Sequence, residues 1–159
     1  MFQVEGYEGK REDQYNLVKK QLKALIEGEP NQIANLSNAS ALLNQFLDRI
    51  NWVGFYLLDE EQLVLGPFQG LPACVRIPLG RGVCGTSAAN RETLLVADVH
   101  AFPGHIACDA ASKSEIVVPL VKDGRLIGVL DIDSPELNRF DELDQKHLEE
   151  FVSILSVAI

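Results

Sequence analysis

A thiol in a polar stretch, with carboxylates near it, is the part of this chain best suited to chemistry. Cys108 lies in HIACDAASKSEIVVPL, residues 105–120, among small and polar side chains just ahead of an apolar run. A buried, inert cysteine behaves as a small hydrophobe and sits more naturally inside such a run. A thiol in an irregular segment is placed to meet a substrate, a metal or another thiol. Glu115 follows at the entrance to the apolar run, and Asp131 and Asp133 stand two apart in VLDIDS. Carboxyl groups beside a thiol can donate a proton or bind a cation such as an ammonium.

Cys74 and Cys84 complete a set of three cysteines. An odd count in a chain with no visible signal peptide does not read as a structural disulfide framework. Inert core thiols, a metal site and thiol chemistry remain as readings. Cys84 belongs to GRGVCGTSAA, where Gly80, Gly82 and Gly85 permit close backbone approach ahead of a short helix. Amides at a helix start bind anions, and a cysteine there is expected to ionise more easily than usual. The plainer readings are a turn with its cap and a buried small hydrophobe. His100, His105 and the cysteines are possible metal ligands, but no Cys-x-x-Cys pair is present, so no metal is expected. His105 more naturally caps a loop or biases the ionisation of Cys108. Trp52, the single tryptophan, heads a strand-like run. Core packing is the default for it, and a pocket wall is the sharper alternative.

These residues must be positioned by the surrounding elements. Helical spacing of apolar residues runs through 12–27 and again through 31–48, with Gly28 and Pro30 at the join. From Asn51 the texture changes to short strands: NWVGFYLLD, QLVLGPFQG, CVRIPLG and, after the glycine-rich segment, TLLVADV. A long irregular segment leads to EIVVPLVKDGRLIGVLDIDS, two strands around Asp123-Gly124, which is a strong hairpin signal. DELDQKHLEEFVSILSVAI closes the chain as an amphipathic helix that Asp141 is suited to cap.

On the second strand of that hairpin Asp131 and Asp133 share a face with Val129 and Ile127, while Leu130 and Ile132 turn to the core. A carboxylate pair of this kind is more often a solvated face than a cation site. A plain two-residue turn puts Glu115 opposite Ile132, pointing away from both aspartates. Pro119 favours an edge or a bulge, and a bulge would bring Glu115 round to their side. Both arrangements stay open at this point.

The order of elements predicts one α+β domain over residues 1–159, with a central antiparallel sheet, helices packed on one face and ligand-pocket loops on the other. Its parts are N-terminal helices (1–48), sheet and site loops (51–134) and a C-terminal helix (141–159). A net charge of −9 argues against nucleic acid as a partner. No apolar run reaches membrane-spanning length, and the cytosol is the expected compartment.

The run from GPFQGLPAC to LDIDSP, with NWVGFYLL upstream and RFDELDQKHLE downstream, resembles the free methionine-(R)-sulfoxide reductases, small GAF-domain enzymes. The resemblance extends from about Ala34 onward. It implies that Cys108 attacks the sulfoxide sulfur of free methionine-(R)-sulfoxide, releases methionine and becomes a sulfenic acid. Cys74 is implied as the thiol that resolves it to a disulfide, with Cys84 as alternative or relay, and thioredoxin as external reductant fed by NADPH through its reductase. No bound cofactor is implied. Glu115, Asp131 and Asp133 match the substrate-holding and proton-transferring carboxylates, and Trp52 and Tyr56 the wall around the methyl sulfoxide. A homodimer is likewise implied.

The chemistry fits these residue types. A sulfoxide oxygen leaves poorly unless protonated, so an acid must stand by the thiol. A free amino acid carries an ammonium, which suits carboxylates, and a carboxylate, which suits amides of a glycine-rich helix start. A peptide-bound residue has neither charge and leaves such contacts unpaired. A non-catalytic GAF domain sensing a small molecule or redox state is the alternative, and an inert dimerisation module is a further one.

Overall fold

The computed structural model describes every residue except Met1, Val4, Glu5 and Ala107. Helices α1 (Arg11–Ile26) and α2 (Gln32–Phe46) precede the hairpin β1 (Trp52–Asp59) and β2 (Gln62–Gly70). A short strand β3 (Arg76–Pro78), helix α3 (Gly82–Asn90) and strand β4 (Leu94–Val96) follow. The hairpin β5 (Ser114–Lys122) and β6 (Arg125–Ser134) and helix α4 (Glu142–Ser156) complete the chain. The six strands form one antiparallel sheet in the order β3-β2-β1-β6-β5-β4. Among the described residues no helix is long and apolar enough to cross a membrane.

Strand alternation sorts the sheet into two faces. Val53, Phe55, Ile116, Val118, Leu130 and Ile132 point to one side and pack with α1, α2 and α4 as the main core. Trp52, Tyr56, Val117 and Val129 point to the other, where α3 adds Val83, Cys84 and Ala88. Three helices thus share one face as expected, and the short α3 lies with the loops on the opposite face.

Local signals account for the element ends. Asp141 caps α4 through a reciprocal capping box with Asp144. Asp144 is buried and also accepts from the Tyr15 hydroxyl (2.6 Å) and Arg11 Nη2 (2.9 Å), which fastens α4 to α1. Asp123 and Gly124 both have positive φ (51° and 74°), the geometry of the tight turn their sequence predicts.

That turn does not set the pairing alone. The β5–β6 ladder slips between Leu120 and Val121: Leu120 faces Gly128 while Val121 faces Leu126. Ile127 is the extra residue, so it packs toward the helix side rather than sharing a face with Asp131 and Asp133. Beyond the bulge Glu115 stands opposite Asp133, not opposite Ile132. Of the two arrangements open from the sequence, the bulged one is observed.

Candidate active site

β6 lies between β1 and β5, and its two aspartates are bracketed by both neighbours. Asp133 is flanked by Trp52 and Glu115, and Asp131 by Gly54 and Val117. All these positions share the face away from the main core. Gly54 is required there: a side chain would collide with Phe68 and with the indole ring of Trp52. Its absence lets Trp52 stack on Phe68 (5.2 Å between centroids) and Tyr56 (5.8 Å).

Side chains at the start of β1 hold the two thiol-bearing loops. The Trp52 indole N–H donates to the Leu71 carbonyl (3.1 Å), and the Tyr56 hydroxyl donates to the Cys74 carbonyl (2.9 Å). Asn51 Nδ2 donates to Asp109 Oδ2 (2.9 Å) and Ser112 Oγ (3.0 Å), on the loop that carries Cys108. Cys74 and Cys108 are joined by a disulfide, with their Cα atoms 5.6 Å apart. Cys84 is a free thiol, buried.

These elements enclose a pocket of about 540 Å³ of non-atom space, its mouth included. Trp52, Tyr56 and Ile77 give it an apolar side, and Glu115, Asp131 and Asp133 a carboxyl side. Cys84 and Cys108 both line it, together with Arg81, His105, Asp109 and Ser112. Of the residues that the resemblance implies for the site, all except Cys74 border this cavity, and Cys74 is bonded to one that does; His100 does not line it.

The carboxylates are not a solvated face. Glu115 and Asp131 are buried, and Asp133 is half-buried. Burial, followed by the charges of Asp131 and Asp133, pushes Glu115 well above the usual carboxylate range. Burial, then Asp131 and Asp109, does the same to Asp133. Asp131 rises through burial, against hydrogen bonding from Glu115 and Cys84. The cluster thus contains carboxyl groups that can hold a proton near neutral pH and donate it.

One expectation is overturned. Cys84 sits in the first turn of α3, yet its thiol is pushed well above its ordinary value, not below it. Burial dominates, and Asp131 and Glu115 add like charge; Cys84 Sγ is 3.9 Å from Glu115 Oε1. The His105 imidazole, which also lines the pocket, is pushed below its ordinary value by burial and by His100.

Sequence reasoning missed Asn51, Asp109, Ser112 and Arg81 as parts of the site. Asp109 follows Cys108 directly and Asn51 precedes Trp52, so adjacency was the available signal.

The GAF domain family model matches residues 36–159. The free methionine-R-sulfoxide reductase of Escherichia coli (strain K12) is 58% identical over 132 residues, covering 83% of this chain and 80% of that protein. Protein YtsP of Bacillus subtilis (strain 168) is 61% identical over 161 residues, 100% of this chain and 99% of that protein. The X-ray structure of free methionine-R-sulfoxide reductase from Neisseria meningitidis in complex with its substrate matches with a TM-score of 0.95 at 46% identity. That match covers 99% of this chain and 95% of the solved one. The chain belongs to the GAF domain family and, within it, to the free methionine-R-sulfoxide reductases.

Proposed function

We propose that this protein reduces free L-methionine-(R)-sulfoxide to methionine, with Cys108 as nucleophile. One observation carries the reading: Cys108 and a buried carboxyl cluster border the same pocket. In the reduced protein the Cys108 thiolate attacks the sulfoxide sulfur while a carboxyl group protonates the oxygen. A new bond joins Cys108 Sγ to the substrate sulfur, the S–O bond breaks and the doubly protonated oxygen leaves as water. A water molecule then attacks Cys108 Sγ, the S–S bond of the sulfonium breaks, methionine leaves with the electron pair, and Cys108 becomes a sulfenic acid. The Cys74 thiol displaces water from it and forms the disulfide. A protein dithiol, thioredoxin, then reduces that bond, and NADPH supplies the electrons through thioredoxin reductase.

Roles divide by position. Glu115 and Asp133, opposite each other across β5 and β6, are the proton-holding pair. Asp131, with Oδ1 buried and unpartnered among the described residues, is placed to accept from the substrate ammonium. Trp52 and Tyr56 pack the methyl sulfoxide end. Cys84 has a strongly disfavoured thiolate, which supports Cys74 as the resolving thiol. The chain works as a homodimer in the cytosol, with no bound cofactor.

The test is NADPH consumption with thioredoxin, thioredoxin reductase and this protein. It compares free methionine-R-sulfoxide, the S epimer and an N-acetylated, C-amidated form. Turnover confined to the free R epimer supports the proposal. No turnover with any of them, while thioredoxin is shown to be active, replaces it with a small-molecule or redox sensor.

A further inference from the structure

We propose that Cys84, Glu115 and Asp131 form a binding site for a borderline-soft divalent cation such as Zn²⁺, which acts there as an inhibitor and not as a cofactor. The inhibition rests on the reductase reading above; the binding does not.

Donor atoms of these three side chains, one sulfur and two carboxyl oxygens, all lie within 4.8 Å of one another. Among the described residues no other set of three His, Cys, Asp or Glu side chains comes as close. Cys84 Sγ stands 3.9 Å from Glu115 Oε1. Zinc bonds of about 2.3 Å to sulfur and about 2.1 Å to oxygen, in tetrahedral geometry, set two such ligands about 3.6 Å apart. Small side-chain rotations close that difference. The donors come from α3, β5 and β6, so no Cys-x-x-Cys spacing marks them in the sequence. All three line the pocket, whose mouth leaves a fourth position to water.

Asp131 gives an independent sign that a cation belongs here. It is 6% exposed, and its Oδ1 is buried with no hydrogen-bond partner among the described residues. No Lys, Arg or His pairs with Asp131 or Glu115 among those residues. A bare carboxylate oxygen in such a setting is costly and calls for positive charge. The substrate ammonium meets that need only during turnover.

Cys84 decides which cation fits. It is free, buried beside the acids and unused by the reaction proposed above. A thiol adds nothing to a site for an ammonium, whereas a thiolate ligand selects Zn²⁺ over Mg²⁺ or Ca²⁺. Asp131 and Glu115 set like charge against a Cys84 thiolate. A divalent ion among the three reverses that opposition, and a coordinating thiol gives up its proton. An ion so held takes Asp131 from the substrate ammonium and Glu115 from proton transfer.

The disulfide form of the full chain isolates the site, because Cys84 is then its one free thiol. Wild type, Cys84→Ala and Asp131→Asn are titrated with Co²⁺, and bound Co²⁺ is displaced with Zn²⁺. Wild type is expected to bind one Co²⁺ per chain with a thiolate-to-cobalt charge-transfer band, which Zn²⁺ abolishes. The band is absent in Cys84→Ala. Asp131→Asn binds at least about tenfold more weakly, the least that losing a supporting group costs. No band in wild type, or a band that survives in Cys84→Ala, overturns the site; the wild-type result depends on no variant folding. Inhibition is read from single-turnover methionine release by the reduced enzyme without thioredoxin, each protein against its own metal-free rate. Zn²⁺ is expected to inhibit wild type at a concentration about tenfold or more below that needed for Cys84→Ala, since both carry Cys74 and Cys108. Equal inhibition overturns the inhibitory role. If metal-free wild type releases no methionine, the reductase reading fails, and the cobalt titration alone upholds or overturns the site.

Discussion

Glu115 and Asp133 face each other across β5 and β6, and a single bulge between them and the turn makes them neighbours. Both are held in a setting that disfavours charge, with Asp131 and Cys84 beside them. The fold therefore carries an unfavourable cluster at the site.

That cost can be measured. Burial raises the folded-state pKa of Glu115 above its unfolded value, so its protonated form is the stable one. Stability linked to it is complete below the unfolded value, near pH 4.3, and is lost as pH rises toward the raised one. Glu115→Gln removes this loss. It is expected to raise Tm at pH 7, at roughly 2–4 °C per kcal/mol, and to leave Tm near pH 4 unchanged. Turnover falls by about 10²-fold or more if Glu115 is the proton donor. A lower Tm at pH 7 would show that the cluster is not strained by charge.

The thiols have separable roles. Cys108→Ser abolishes methionine release. Cys74→Ser releases one methionine per chain in a single turnover and then recycles poorly. Quenched-flow counting of methionine against enzyme distinguishes the two. Undiminished recycling through thioredoxin in Cys74→Ser moves the resolving role to Cys84.

Asn51 fixes the Cys108 loop through Asp109 and Ser112. Asn51→Asp sets like charges against each other at that clasp. Misplacing a reacting group by about 1 Å costs on the order of 10²-fold, and kcat is expected to drop by that order. Hydrogen exchange should quicken across 105–113 and stay unchanged in α4. Exchange accelerated everywhere would mean general destabilisation.

Gly54→Ala forces Trp52 and Phe68 apart. Overpacking of this kind costs about 1–3 kcal/mol, which urea unfolding followed by Trp52 fluorescence would read. An unchanged unfolding midpoint would show that the stack has room to yield.

Much of this arrangement was legible in the amino-acid sequence. Periodicity placed α1, α2 and α4, and Asp123-Gly124 marked the β5–β6 turn. Alternation sent Leu130 and Ile132 to the core and both aspartates to the other side. What pattern could not resolve was which residue the bulge would take. Pro119 suggested a bulge, but the slip falls at Ile127, on the partner strand. A change of one residue decides whether Glu115 meets Asp133. The behaviour of Cys84 was hidden for a similar reason. Its place at a helix start is local information, whereas the carboxylates that oppose its ionisation come from β5 and β6. Asn51 and Asp109 are 58 positions apart, and their hydrogen bond had no trace in local composition.

The position of β6 between β1 and β5 also has a bearing on synthesis. Translation delivers Cys74, Cys84 and Cys108 before any residue of β6. Until that strand inserts, the two halves of the sheet have nothing to join them, and the pairing it makes with β1 spans about half of the chain, from Trp52 to Asp133. Contacts of such separation form late. The growing polypeptide thus holds its thiols before it has the wall that will confine them. Whatever oxidant the compartment contains meets them first without the acids, the aromatic floor or a defined partner.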